Sequence, residues 1–283
     1  MSIPASLDDS QINRAAPPGS MRYFSLLYTP LSLRDAVTAL YVIDAEIRES
    51  AQSANHDVAH TRLQWWRQEI DRLVNANPQH PATRTLNALP DFDRKNFSRL
   101  HELIAAADMD LARMTYLNLR ELRAYCSRSG GTVQEMIAML LLPTPMEEPV
   151  RVAANRVGVA VRQVEILRDV RQDAYDGRLY LPLDGLEEDA VGIEELRSKE
   201  FGAKTRAALA RFRDAIAPDL EIEIAAFGHD VRAYLRPLLV MAALHRRLLD
   251  RIARSNYAVA TQRMELGPVE KPWIAWRAAR RAG

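Results

Sequence analysis

Residues 150–176, VRVAANRVGVAVRQVEILRDVRQDAYD, decide how the rest of the chain is read. At roughly 100° per residue, Glu165, Asp169, Asp173 and Asp176 fall within an arc of roughly 80° on a helix. Val157, Val159, Ala160, Val161, Val164, Ile166, Leu167 and Val170 cover most of the remaining circumference. A helix apolar over that much of its surface belongs inside a bundle. The four acids are spaced i+4, i+4 and i+3, so each faces the next at a cost of about 0.2–0.5 kcal/mol per pair. The last two also oppose the negative end of the helix ahead of Gly177, about 0.3–1 kcal/mol each. One reading is a solvated acidic face relieved by Arg162 and Arg168. The other is a set of acids facing a cavity, where carboxylates four residues apart chelate a hard cation. Mg²⁺ held by one or two carboxylates keeps its remaining positions for water and phosphate oxygens.

The flanking sequence keeps the helical period. Leu33, Ala36, Val37, Leu40 and Tyr41 follow the i, i+3, i+4 spacing, with Ser32 as N-cap. Residues 63–74, 97–114, 119–141, 202–216 and 231–253 predict further helices, and alternating strand patterns are nearly absent. Breaks fall at His80-Pro81, Pro90, Pro143 to Pro149, Gly177 with Pro182, Gly192 and Pro218. Long helices joined by short polar turns make an all-α bundle, whose ligand sites form between facing helices. The expected organisation is a flexible N-terminal lead-in over 1–20, broken by Pro17-Pro18-Gly19, one helical domain over 21–268, and a basic tail over 269–283.

Composition narrows the function classes. A net charge of +1 supplies no global field for nucleic acid. The lone cysteine, Cys126, excludes an internal disulfide framework and fits a reducing compartment. With neither a signal-peptide pattern nor a long apolar run, a cytoplasmic protein is expected, at most peripheral to a membrane. Trp65 and Trp66 read as helix packing, and Cys126 beside Tyr125 as a buried small hydrophobe. The histidines show no tight metal spacing. The tail, with Trp273, Trp276, Lys271, Arg277, Arg280 and Arg281, reads equally as a solvated end and as an interfacial anchor.

The stretch QVEILRDVRQDAYDGRLYLP (163–182) closely resembles the second aspartate-rich motif of the squalene/phytoene synthase family. The likeness continues in LRDAVTALYVID (33–44), in RLQWWRQEIDRL (62–73) with His80-Pro81, in ELRAYCSRSGGTVQEM (121–136), and in RRLLDRIARSNYAVATQRMEL (246–266). The resemblance implies a terpenoid-synthase-like helical fold, with two aspartate-rich helices facing across a deep apolar cavity. It implies that Mg²⁺ bridges their carboxylates to prenyl diphosphates, farnesyl or geranylgeranyl, which are joined head to head through an allylic cation. Carried over by position, Asp169 and Asp173 become catalytic metal ligands, with Glu165 a third ligand where relatives usually carry Asn. Gln163, Arg168 and Arg178 become diphosphate-contacting groups.

At the first motif the pattern fails. IDAEIRESAQS (43–53) puts Ala45 at the family's arginine and Arg48, Glu49 and Gln52 at its three aspartates. Asp44 lies on the apolar stripe and is expected to form an i, i+4 ion pair with Arg48. Arg48 sets a positive charge where a metal would sit. The sequence therefore supports an Mg²⁺-dependent prenyl-diphosphate transferase of isoprenoid biosynthesis with reduced or altered activity. Its alternative is a non-catalytic relative that binds prenyl lipid, or that takes a protein partner as a respiratory-complex assembly factor.

Overall fold

In the computed structural model, which describes residues 7–282, 73% of the chain is helical and no strand occurs among the described residues. In chain order the helices are α1 (Asp9–Ala15), α2 (Met21–Leu27), α3 (Leu31–Ala51), α4 (His56–Val74), α5 (Pro81–Asn87), α6 (His101–Leu111), α7 (Leu119–Cys126) and α8 (Thr132–Leu141). They continue with α9 (Glu148–Tyr175), α10 (Leu183–Glu188), α11 (Ile193–Arg197), α12 (Ala203–Ala225), α13 (His229–Arg232), α14 (Arg236–Arg254) and α15 (Glu270–Arg281).

The apolar circumference of α9 places it at the centre. Val157, Ala160, Val164, Ile166 and Leu167 are all buried, and α8, α12 and α14 pack around it. Its C-terminal end is where the sequence set it: Asp176 caps the helix and Gly177 follows at φ +75°, a conformation glycine adopts without penalty. The acids thus hang at one end of the central helix, opposite α3 and α6.

A close backbone crossing sets how near α9 comes to its neighbour. Between α7 and α8 the chain makes a single π-turn, Ser127–Gly131, so that residues 119–141 form one interrupted helix. Gly130 and Gly158 meet there. A Cβ at Gly158 would lie 2.1 Å from the Gly130 carbonyl oxygen and 2.7 Å from the Gly131 Cα.

Four expectations are revised. Residues 1–6 of the lead-in lie outside the described residues, but Asp9–Ala15 is a helix with a capping box from Asp8 and Gln11, and Ala15 and Ala16 are buried in the core. Pro218 does not end α12, which runs on to Ala225; Ile216 and Leu220 are buried on either side of it, and their packing outweighs the one backbone bond a proline removes. Ser32 is not the cap of α3, whose N-cap is Pro30 without a side-chain bond. The tail is a helix, α15, docked on α14 through buried Ala275 and Ala279 and through Glu270, which accepts from Arg247 and Arg251.

Replacing Gly158 by alanine should destabilise the protein by about 3 kcal/mol or more, because backbone rather than a flexible side chain stands in the way. Urea unfolding checks this, and a loss under about 1 kcal/mol would mean the crossing is looser than described.

Candidate active site

Two adjoining lobes of one cleft open between the acidic end of α9, the C-terminal halves of α3 and α6, and the segment 259–265. Their volumes are about 820 and 560 Å³. Gln52, Asp110, Arg168, Asp169, Asp173, Arg178 and Arg263 border both. The second lobe also reaches apolar side chains that include Met21, Tyr41, Val133, Val161, Met241 and Met264, and touches the π-turn at Gly130. The cavity expected to be apolar is therefore mixed: arginine and lysine outnumber the carboxylates along each lobe.

The acids of α9 meet different fates. Glu165 faces Arg162 at 3.4 Å, Arg48 at 3.8 Å and His245 at 3.9 Å. Burial alone would raise its carboxyl, but His245, Arg48 and Arg162 outweigh it and hold the group well below the usual range. Asp169 accepts from the neighbouring Arg168 and, at 3.1 Å, from Nε of Arg263. Burial opposes its ionisation, and the two arginines together keep it charged. Asp173 differs, with no side-chain hydrogen bond among the described residues. Burial pushes its carboxyl up to about 7, against the pull of Arg162 and with Asp169 and Asp110 adding to the rise.

Asp110 accepts from the hydroxyls of Tyr125 at 3.1 Å and Tyr180 at 2.7 Å. Those rings stack with centroids 5.3 Å apart. The Arg162 guanidinium lies over both, at 5.7 and 5.2 Å from their centroids. Arg178, just past the αL glycine, donates to the Ala51 carbonyl at 3.3 Å and so ties the end of α9 to the end of α3.

On the α3 wall, Asp44 is 1% exposed and lies between Arg48, whose Nε donates at 3.0 Å, and Arg22. The ion pair expected between Asp44 and Arg48 is present. Glu49 points away: more than half its side chain is exposed, and it pairs with Arg14 at 3.5 Å. No carboxylate of α3 borders either lobe.

The donor chemistry can be set against a divalent cation. Asp169 and Asp173, one turn apart, suit a hard cation that takes one or two carboxylates and completes its shell with phosphate oxygens. The α3 wall does not suit one, because Arg48 stands there and the Asp44 oxygens are engaged by guanidiniums. Among the described residues no three Asp, Glu, His or Cys side chains converge as a metal cage.

A family model described as squalene/phytoene synthase matches residues 16–270. This chain belongs to the squalene/phytoene synthase family. It is 28% identical over 263 residues to a phytoene synthase of Mycobacterium bovis, covering 89% of this chain and 84% of that one. With a phytoene synthase of Arthrospira platensis it shares 30% identity over 264 residues, covering 85% of this chain and 82% of the relative. The fold matches a ligand-bound dehydrosqualene synthase at a TM-score of 0.77 and 18% identity, over 92% of this chain and 91% of that one. It matches a squalene synthase from Alicyclobacillus acidocaldarius at 0.71 and 18% identity, over 89% and 97%.

For a squalene/phytoene synthase member, the cleft brings together Asp169, Asp173, Arg168 and Arg178, and Glu165 borders its second lobe; Gln163 stays outside. Gln163 is a correction: it is fully buried, borders neither lobe, and neither atom of its amide has a hydrogen-bond partner. Its angle on α9, two residues before Glu165, turns it to the opposite side of the helix. Glu165 lies on the second lobe with Arg162, Arg48 and His245 around it. Asp110, Arg263 and Arg22 were not singled out from sequence, and Arg162 entered only as relief for the acidic face, where it does pair with Glu165. Asp110 carried a readable signal, an acid in the last turn of a helix, where the dipole disfavours it. Arg263 sits in an irregular segment, and nothing local marks it.

The unfolded Asp173 carboxyl titrates near its ordinary 3.8, while the folded one keeps its proton to about pH 7. The contribution of Asp173 to stability is therefore fully present below about pH 4, is lost as pH rises through that window, and is gone above about pH 7. Asp173→Asn should remove this slope. In EDTA at pH 8 it should be more stable than wild type by roughly 2–4 kcal/mol, the gap closing toward pH 4. Urea titrations across that range test it, and a variant less stable at pH 8 would refute it.

Proposed function

We propose that this protein is a prenyltransferase of isoprenoid biosynthesis whose cleft takes the diphosphate of farnesyl or geranylgeranyl diphosphate at the α9 edge. The observation that carries this reading is the meeting of Asp169 and Asp173 with Arg168, Arg178 and Arg263 on one cleft, beside apolar side chains able to take a prenyl chain. Mg²⁺ on Asp169 and Asp173 would supply charge neutralisation for a departing diphosphate. The arginines orient phosphate oxygens through charged hydrogen bonds. Met21, Val133, Met241 and Met264 keep water from an allylic cation.

The α3 wall restricts the chemistry open to this cleft. A guanidinium about 4 Å from a would-be cation opposes it by about 4 kcal/mol at an effective dielectric near 20. A reaction that needs metal on both walls is thus disfavoured, and head-to-head condensation of two prenyl diphosphates should be slow or absent. The pairing of Asp44 with Arg48 equally favours the second reading, a relative that holds prenyl diphosphate without turning it over, as a lipid-binding or respiratory-complex assembly protein.

With farnesyl diphosphate and Mg²⁺ at about a hundred times Kd, the native state gains about 2.7 kcal/mol, visible as a rise in Tm. Asp169→Asn with Asp173→Asn should abolish the Mg²⁺-dependent part of that rise. Labelled farnesyl and geranylgeranyl diphosphates, followed by lipid extraction, test turnover. Condensation near 1 s⁻¹, an ordinary enzyme rate at about that order, would refute the limit set by Arg48, and binding with no product would support the second reading.

Trp273 and Trp276, exposed and stacked 5.1 Å apart on α15 beside Arg277, Arg280 and Arg281, support a peripheral lipid contact for a protein that handles prenyl chains. Co-sedimentation with anionic vesicles should fall when both tryptophans become serine. Equal sedimentation of the variant would remove the contact.

A further inference from the structure

The α3 wall is a built arrangement of charge rather than a damaged motif. Asp44 is buried, and its two oxygens are divided between two arginines: Oδ1 takes Nε of Arg48 at 3.0 Å, and Oδ2 takes Arg22 from α2. Burial would raise the Asp44 carboxyl, but Arg48 and Arg22 together hold it below the usual range. Arg22 is fixed further. Its Nη1 reaches the carbonyls of Ala15 at 3.4 Å and Tyr41 at 3.5 Å, and its guanidinium lies 4.9 Å from the centroid of the Tyr41 ring. About a quarter of each arginine side chain remains exposed, 26% for Arg48 and 23% for Arg22, and both border the second lobe. One carboxylate between two guanidiniums leaves the group with net positive charge.

We propose that Arg22 and Arg48, held side by side by Asp44, form a metal-independent subsite for the diphosphate of the prenyl substrate on the wall where a carboxylate–metal arrangement is missing. This rests on the reading that the cleft takes prenyl diphosphates. A guanidinium offers a planar set of five N–H donors; Asp44, and at Arg22 also the Ala15 and Tyr41 carbonyls, engage only part of each set, leaving the remaining N–H groups for phosphate oxygens. Because Asp44, Ala15 and Tyr41 already fix the two side chains, little rotamer freedom remains to be lost when an anion arrives. The charge that disfavours a cation at Arg48 favours an anion there by the same Coulomb argument. Glu165 does not close the subsite: it stands 3.8 Å from Arg48, beyond hydrogen-bond reach, and lies nearer Arg162. Asp44 is a positioning residue, and Arg22 and Arg48 are the contacts.

The test is calorimetric titration with inorganic pyrophosphate at about 0.15 M salt, in EDTA and then in Mg²⁺, on the full chain. The wild type should bind pyrophosphate in EDTA. Arg48→Gln and, separately, Arg22→Gln should each weaken that binding by at least about tenfold, the effect of losing a charged hydrogen bond. Arg48→Lys, which keeps the charge without the fork, should fall between. Asp169→Asn with Asp173→Asn should leave binding in EDTA within about threefold of wild type while losing any gain from Mg²⁺. Circular dichroism establishes that each variant keeps the wild-type helix content, and the two single arginine variants stand in for one another should either fail to fold. Binding that requires Mg²⁺, or binding in EDTA that neither arginine variant weakens, overturns the subsite and leaves the proposed function standing. Absence of pyrophosphate binding in both buffers overturns the two together.

Discussion

Charge taken out of water must be matched, and the cleft is organised by that requirement. A carboxylate buried without a partner costs several kcal/mol, so the buried acids of α3 and α9 at this cleft either find a guanidinium or give up their charge, while Asp110 of α6 takes two tyrosine hydroxyls. Asp44 shares Arg22 and Arg48, Asp169 shares Arg168 and Arg263, and Glu165 is ringed by Arg162, Arg48 and His245. Asp173 is the exception, and it responds by holding its proton to about pH 7. A group with a displaced titration and no fixed partner is the kind that chemistry uses.

That matching requires an accurate frame. α9 supplies most of the acids, and its position is set by the glycine crossing with the π-turn, where no side chain intervenes between the backbones. The π-turn also presents Gly130 to the cleft, in keeping with the frequency of such turns at functional sites. Behind it the stacked pair Tyr125 and Tyr180 carries Arg162 and bonds Asp110. Packing, backbone contact and charge thus converge on one end of one helix.

Within the squalene/phytoene synthase family this arrangement has a specific consequence. The α9 edge keeps two carboxylates that suit a divalent cation, while the α3 edge presents guanidiniums. In the proposed function the α9 edge takes a diphosphate through a cation, and in the proposed subsite the α3 edge takes one directly, so anion capture would survive where metal capture on the α3 side does not. Ala45 and Glu49 border neither lobe, and Glu49 pairs with Arg14 at the edge of the second.

The sequence alone dictated the helical class, the central place of residues 150–176, the stop at Gly177 and the shared face of Asp169 and Asp173. All of these arise from periodicity, capping and residue spacing within one helix, which are local properties. It also dictated the Asp44–Arg48 pair, an i, i+4 contact. It misplaced Gln163, whose role was inferred from motif position although its helical angle turns it from the acids. It read Pro218 as a break, because local propensity does not include the buried Ile216 and Leu220. That Arg22 of α2, Asp110 of α6 and Arg263 of the closing segment join the same cleft was settled by tertiary packing. Contacts between residues far apart in the chain depend on how helices pack, and no spacing in the sequence encodes which charges will meet once they do.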